Sequence, residues 1–196
     1  MKNVIAALLI LALAGLAIAS DLPKEADLHD YSLDSPSRIV ISGELTESSP
    51  TWHRWRVPYP YELLSLDCAL PFDSDYTTEP AFDMYCFNVT NADPVEFVVD
   101  DASFDTVIYI YCAPFDPTLP QENGVYMDDD DGDGLQSAIV AANGVTLTPG
   151  NEYWFVICAY GSTIGTYNVV TSDNVSLCGG VANETTSWTN LKGLFD

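Results

Sequence analysis

The chain predicts an all-β fold, an antiparallel β-sandwich with a short C-terminal helix or tail. Three observations predict it. Short β-branched and aromatic runs recur along the chain, Gly, Pro and Asn signals separate them, and no apolar run of helical period intervenes before the C-terminal end. The length is 196 residues, with 47% hydrophobic and 12% aromatic. That suffices for one packed core and leaves no room for a separate catalytic domain beside it.

The elements follow in order. Residues 1–19 read as a secretory signal peptide: Lys2 gives a cationic start, Val4 to Ile18 is apolar or small, and Ala17-Ile18-Ala19 is a small-residue cleavage site. The apolar run is shorter than the roughly 20 residues a membrane span needs, so no membrane contact is expected after cleavage. Residues 20–37, polar with Pro23 and Pro36, read as a leader or linker. Residues 38–172 read as the sandwich domain, and 173–196 as a C-terminal tail.

Within the sandwich, Arg38 to Leu45 is a first strand rich in β-branched residues. Thr46 to Pro80 is a long irregular stretch whose prolines (Pro50, Pro58, Pro60, Pro71, Pro80) forbid a long helix or a central strand. Phe82 to Val89 alternates between two faces, and Val95 to Val99 is a further strand. Thr106 to Cys112 and Tyr153 to Tyr160 are apolar on both faces, as strands covered on both sides are. Ala138 to Ala141 and Val145 to Leu147 flank Asn143-Gly144, a hairpin signal. Pro149-Gly150 fits the centre of a type II turn, and Gly165 to Thr171 closes the set. At the end, Thr186-Ser187 caps a short apolar pattern of Trp188, Leu191, Leu194 and Phe195. It reads as a loose end, a helix packed on the sandwich, or a docking tag.

Charge narrows the partners. Asp plus Glu number 29 against 6 Lys plus Arg, a net charge of -23. Nucleic-acid binding, which needs cationic phosphate contacts, is excluded, and docking on anionic lipid is disfavoured. The five Cys (Cys68, Cys86, Cys112, Cys158, Cys178) carry no C-x-x-C spacing, so disulfides in an oxidising compartment are expected rather than zinc. The number is odd, so one thiol stays free or pairs outside the chain; the sequence leaves the pairing open. Of the two His, His29 and His53, neither accompanies a G-x-S-x-G serine. No enzymatic activity is expected.

The run Ser103 to Tyr111 is followed by Phe115-Asp116-Pro117, Asp128-Asp129-Asp130, Ser137-Ala138-Ile139, Leu147-Thr148-Pro149-Gly150, Tyr153 to Val156 and Gly165-Thr166-Tyr167. That ordered series, from about Ser42 to Thr171, resembles the bacterial pre-peptidase C-terminal domains and their stand-alone secreted relatives. The resemblance implies a jelly-roll-like sandwich, an accessory module of secreted enzymes or part of a surface protein, with calcium and collagen as ligands of the collagenase relatives. The chain departs from that pattern in a long Thr46–Pro80 loop and a denser acidic loop, and no enzyme domain is expected beside the sandwich.

Two clusters are candidate sites. Asp129, Asp131 and Asp133 with Gly134 match the first half of a calcium loop, where alternate carboxylates in a tight turn meet at one point. The twelfth position from Asp129 is Val140 rather than Glu and no helix flanks the loop, so an EF-hand is excluded. The expected metal residues are Asp129, Asp131, Asp133, Asp128 and Asp105, with Asp100 or Asp101 as further candidates and Ca2+ as the ion. The alternative is a solvated acidic loop. The second cluster is Trp52, Arg54, Trp55 and Tyr59, with His53, Arg56 and Tyr61 beside them. It reads either as a platform for a sugar ring or a peptide, or as an internal pin whose Arg residues pair with the chain's own carboxylates. The expected function is a secreted, non-catalytic, calcium-stabilised module that binds or adheres to an extracellular protein or polysaccharide. A structural or envelope component assembling through a free Cys or the tail is the alternative, as is a carbohydrate-binding module. The oligomeric state is left open.

Overall fold

The computed structural model describes residues 38–54, 68–69 and 78–179. Nine strands form there: β1 Val40–Leu45, β2 Phe82–Val89, β3 Phe97–Ala102, β4 Thr106–Cys112, β5 Gly124–Asp128, β6 Ala138–Ile139, β7 Tyr153–Ala159, β8 Gly165–Thr171 and β9 Val175–Leu177. They make two antiparallel sheets, ordered β1-β8-β3-β6 and β5-β4-β7-β2-β9. Every connection crosses between sheets except the β4–β5 hairpin. The first eight strands thus follow jelly-roll connectivity, and β9 extends the β2 edge. The expected all-β sandwich is the observed fold.

The inner faces meet over aromatic side chains. Phe97 of one sheet stacks on Phe155 of the other at 4.6 Å, and Phe87 meets Phe97 edge-on at 5.0 Å. Apolar burial of this kind is the main stabilising term, at about 25 cal/mol per Å². The five-stranded sheet is also covered on its outer face. There Phe82, Met84, Val107, Tyr109, Tyr111, Met127, Val156 and Cys158 form a second buried cluster with Trp52. This explains why β4 and β7 read as apolar on both faces: all seven residues of β4 are buried.

Several polar groups are buried, and one of them is a carboxylate on β2. Asp83, on β2, is 4% exposed and accepts a hydrogen bond from the Tyr167 hydroxyl at 2.6 Å. Tyr85 and Tyr167 hydroxyls lie 2.6 Å apart. Burial pushes the Asp83 carboxyl above its ordinary value, and the Tyr167 hydrogen bond partly opposes that. Tyr167 reaches inward across Gly43, its register partner, where any Cβ would collide with the Tyr167 hydroxyl. Two disulfides close the fold: Cys86–Cys178 joins β2 to the residue after β9, and Cys68–Cys112 ties the irregular stretch to the end of β4.

Several expectations change. Asn143-Gly144 does not close a hairpin. Ala141–Asn143 is a 3-10 turn ended by Gly144 at φ 69°, β6 pairs with β3, and Thr146 makes only an isolated bridge to Pro94. The tertiary pairing of β6 with β3 in the same sheet outweighs the local hairpin preference. β5 was not anticipated, because Gly124–Asp128 runs directly into the acidic loop. β9 lies past residue 172, so the sheet extends into the region read as tail. Pro149-Gly150 does form its turn, with Gly150 at φ 85° and the Asn151 amide donating to Thr148 O at 3.3 Å. Residues 1–37, Trp55, Tyr59 and the Trp188–Phe195 pattern lie outside the described residues.

Replacing Tyr167 by Phe removes the only hydroxyl within reach of Asp83 in the hydrogen bonds above. We expect a loss of about 1–3 kcal/mol in urea unfolding at neutral pH, because a buried carboxyl loses its donor. The loss should shrink in a Tyr167→Phe/Asp83→Leu/Tyr85→Phe triple variant, which removes the Asp83 carboxyl and the Tyr85 hydroxyl together with the hydroxyl that joins them.

Candidate functional site

Register places the β3–β4, β5–β6 and β7–β8 connections at one end of the sandwich, since β3, β5 and β7 all run toward it. The β3–β4 turn carries Asp105, and the β5–β6 loop carries the acidic run. Backbone bonds lock the three together. The Tyr160 amide donates to Asp105 O at 2.9 Å, the Thr106 amide to Leu135 O at 3.3 Å, and the Gly132 amide to Gln136 O at 2.7 Å. Ser137 Oγ donates to Thr106 O at 2.6 Å and lies 2.9 Å from Asp129 O.

The structure sorts the acidic run in a way that spacing does not foretell. Asp105, Asp129 and Asp130 bring one carboxylate oxygen each to within 4.8 Å of one another. Asp105 and Asp129 were expected there; Asp130 was not. Among the described residues, Asp131, Asp133, Asp100 and Asp101 do not join that group and are exposed. Asp128 turns inward instead. It is 5% exposed, and its Oδ2 accepts from the Ala138 amide at 2.7 Å and the Asp131 amide at 3.3 Å. Its carboxyl thus binds the amides of β6 and the loop and is not part of the Asp105, Asp129 and Asp130 group. The alternate-residue spacing does not select the group: the loop folds on itself through the Gly132–Gln136 bond, and Asp130 rather than Asp131 or Asp133 joins Asp129.

Electrostatics follow this sorting. Burial, then the Asp131 charge, push the Asp128 carboxyl up to about 8, against the two amides that favour its ionised form. Burial raises the Asp105 carboxyl, Asp130 raises it further, and Arg54 lowers it. Asp105 Oδ1 is enclosed and accepts no hydrogen bond.

Arg54 is the cation at this end. It is 3% exposed, and its guanidinium carbon lies 4.7 Å from the Tyr160 ring centroid. Its charge favours the ionised forms of Asp105 and of the Cys158 thiol. Trp52, two residues before it, is 2% exposed and boxed by Tyr109 at 5.1 Å, Phe82 at 5.4 Å, Phe115 at 5.6 Å and Tyr111 at 6.3 Å. For these two residues the ligand-platform expectation is corrected: rings packed on every side leave no area for a sugar or peptide, and both serve the interior. Trp55 and Tyr59 lie outside the described residues.

The unpaired cysteine is Cys158. It is fully buried, and burial pushes its thiol up to about 12, so it is neither exposed nor ionised at neutral pH as an intermolecular bridge requires. A second grouping of ligand-type atoms, Cys86, Glu152 and Cys178, is built on a disulfide and offers no thiolate. Two disulfides are present, and among the described residues no helix is long and apolar enough to cross a membrane.

Two outcomes follow from this charge arrangement. Asp128 binds its proton more tightly in the folded chain than in the unfolded chain, where it titrates near an ordinary value of about 3.9. Folded molecules therefore hold the extra proton between about pH 4 and about pH 8, and stability falls as pH rises through that window. Melting midpoints measured across it should decline, and Asp128→Asn, which keeps an acceptor oxygen, should flatten the slope. Arg54→Met should keep the packing but remove the cation. It is expected to cost on the order of 2 kcal/mol in chelator, read by urea unfolding, with the loss reduced at acidic pH where the carboxyls are protonated.

No protein-family model matches the chain and no characterised protein matches it in sequence, so the likeness to pre-peptidase C-terminal domains rests on the ordered residue pattern alone.

Proposed function

We propose that the protein is a secreted, non-catalytic β-sandwich module that binds an extracellular protein or polysaccharide, and that calcium at the acidic rim stabilises it. The observation that carries this reading is the convergence of Asp105, Asp129 and Asp130 at one end, with their carboxylate oxygens within 4.8 Å of one another. Three such oxygens are hard ligands of the kind calcium takes, and water and loop carbonyls complete a shell of six to eight. The enclosed Asp105 Oδ1, which accepts no hydrogen bond, is a site where a cation would satisfy a lone pair. Arg54 supplies one positive charge from below, and three carboxylates leave room for more. The disulfides, the apolar 4–18 run and the small residues at 17–19 support an exported chain. The clustering of loops at one rim of a rigid sandwich is the usual placement of a binding surface.

The test is thermal melting in chelator and in millimolar calcium, several times the roughly 10⁻⁴–10⁻³ M dissociation constant of extracellular modules. Calcium is expected to raise the midpoint by roughly 3–6 °C, magnesium by less, and Asp129→Asn/Asp130→Asn should abolish the rise. An unchanged midpoint in the wild type removes the metal from the account.

A further inference from the structure

We propose that the same rim docks a protein segment bearing both cationic and apolar side chains; this rests on the binding reading above and names its partner class. Among the described residues five large apolar side chains are exposed: Val40, Leu119, Leu135, Tyr160 and Ile164. Scattered singly, such residues are ordinary on a protein surface. Three of the five are not scattered. Leu135 (57% exposed), Tyr160 (40%) and Ile164 (42%) sit on the loops that meet at the acidic end. Leu135 O accepts the Thr106 amide, and the Tyr160 amide donates to Asp105 O. Ile164 precedes Gly165, which abuts Ser103 and Phe104, and the Thr166 amide donates to Ser103 Oγ at 3.0 Å. All three therefore lie within a few residues of the β3–β4 turn that carries Asp105. Apolar side chains gathered on loops that meet at one point mark an interaction surface.

Charge identifies the occupant. Exposed Asp130, Asp131 and Asp133 lie on the β5–β6 loop that carries Leu135, and exposed Asp100 and Asp101 lie near the end of β3 that leads into the β3–β4 turn. Both Arg among the described residues are committed elsewhere, Arg38 to Glu96 at 3.1 Å and Arg54 beneath the rim. The surface offered is thus apolar and anionic together, and its complement is apolar and cationic. A polysaccharide is the poorer fit. Leu135 and Ile164 present no flat ring for a sugar to stack on, the Tyr160 ring has the Arg54 guanidinium 4.7 Å from its centroid and stands as the one exposed ring of the three, and Trp52, the ring expected for that role, is internal. A calcium ion held by Asp105, Asp129 and Asp130 leaves Asp100, Asp101, Asp131 and Asp133 outside its shell, so the rim remains anionic with the metal bound.

The probe is a capped octapeptide of lysine and leucine in equal parts, compared with a lysine–serine peptide of the same charge. Binding is measured by calorimetry on the full chain, in calcium and in chelator. The lysine–leucine peptide is expected to bind at least about tenfold more tightly, as burial of two or more apolar side chains implies. Leu135→Ser/Ile164→Ser should cancel that advantage while keeping the calcium-dependent melting shift, because surface substitutions at exposed loop positions barely alter folding. Asp129→Asn/Asp130→Asn should do the reverse, abolishing the calcium shift and weakening the peptide by only a few-fold. Failure of calcium with the peptide advantage intact overturns the metal reading alone. Equal affinity for the two peptides, no binding by either, or an unchanged Leu135→Ser/Ile164→Ser variant overturns the docking proposal.

Discussion

The organising constraint is the crowding of carboxylates. Five Asp occupy the six positions from 128 to 133, and Asp105 is brought beside them by the β3–β4 turn. Ionised carboxylates a few ångströms apart repel strongly wherever water is partly excluded. Each must be hydrated, countered by a cation, or protonated. The fold uses all three. Asp131 and Asp133 face water; Asp105 feels the Arg54 charge; Asp128 is enclosed, bonded to two amides and driven toward its neutral form. What remains is a rim where Asp105, Asp129 and Asp130 meet, with Arg54 the internal cation among the described residues.

Arg54 reaches that rim because the chain around it is anchored on the outer face of the five-stranded sheet. Thr51 bridges Ala81, Trp52 fills an aromatic box, and further along Cys68 is tied to the end of β4. An outer sheet face covered in this way is buried on both sides, which is why β4 carries Tyr109 and Tyr111 where an exposed face would be polar. Packing and charge are thus coupled. The aromatic box fixes the backbone that presents the guanidinium, and the guanidinium in turn moderates the carboxylates that close the far end of β4. Buried cations are tolerated only where opposite charge and hydrogen bonds meet them.

Much of this was legible in the residues. Period-two alternation over 82–89 and the doubly apolar runs at 106–112 and 153–159 gave strands at those places, since covered strands need apolar side chains on both faces. The type II turn at Pro149-Gly150 followed from the φ its second centre requires. The failures are equally physical. Asn143-Gly144 favours a hairpin locally, yet β6 pairs with β3 of its own sheet, a strand some forty residues earlier, and not with its neighbour in sequence. Side-chain direction within 128–133 depends on a loop closed by Gly132 and Gln136, a contact that spacing does not encode. Asp130 was visible as an acid but not as a partner of Asp105. The apolar members of the rim, Leu135, Tyr160 and Ile164, stand at loop positions that carry no pattern, and only strand register brings them together. The enclosure of Trp52 and Arg54 likewise depends on which sheet face the irregular stretch returns across.

The proposed binding end of the sandwich is built from the turns around 103–106, 129–137 and 160–164. Amide chemical-shift mapping during a calcium titration tests it most directly. Shifts are expected to be confined to those three turns and to Arg54, saturating at millimolar ion. Shifts spread evenly over the acidic surface, or centred on another part of the sandwich, contradict it.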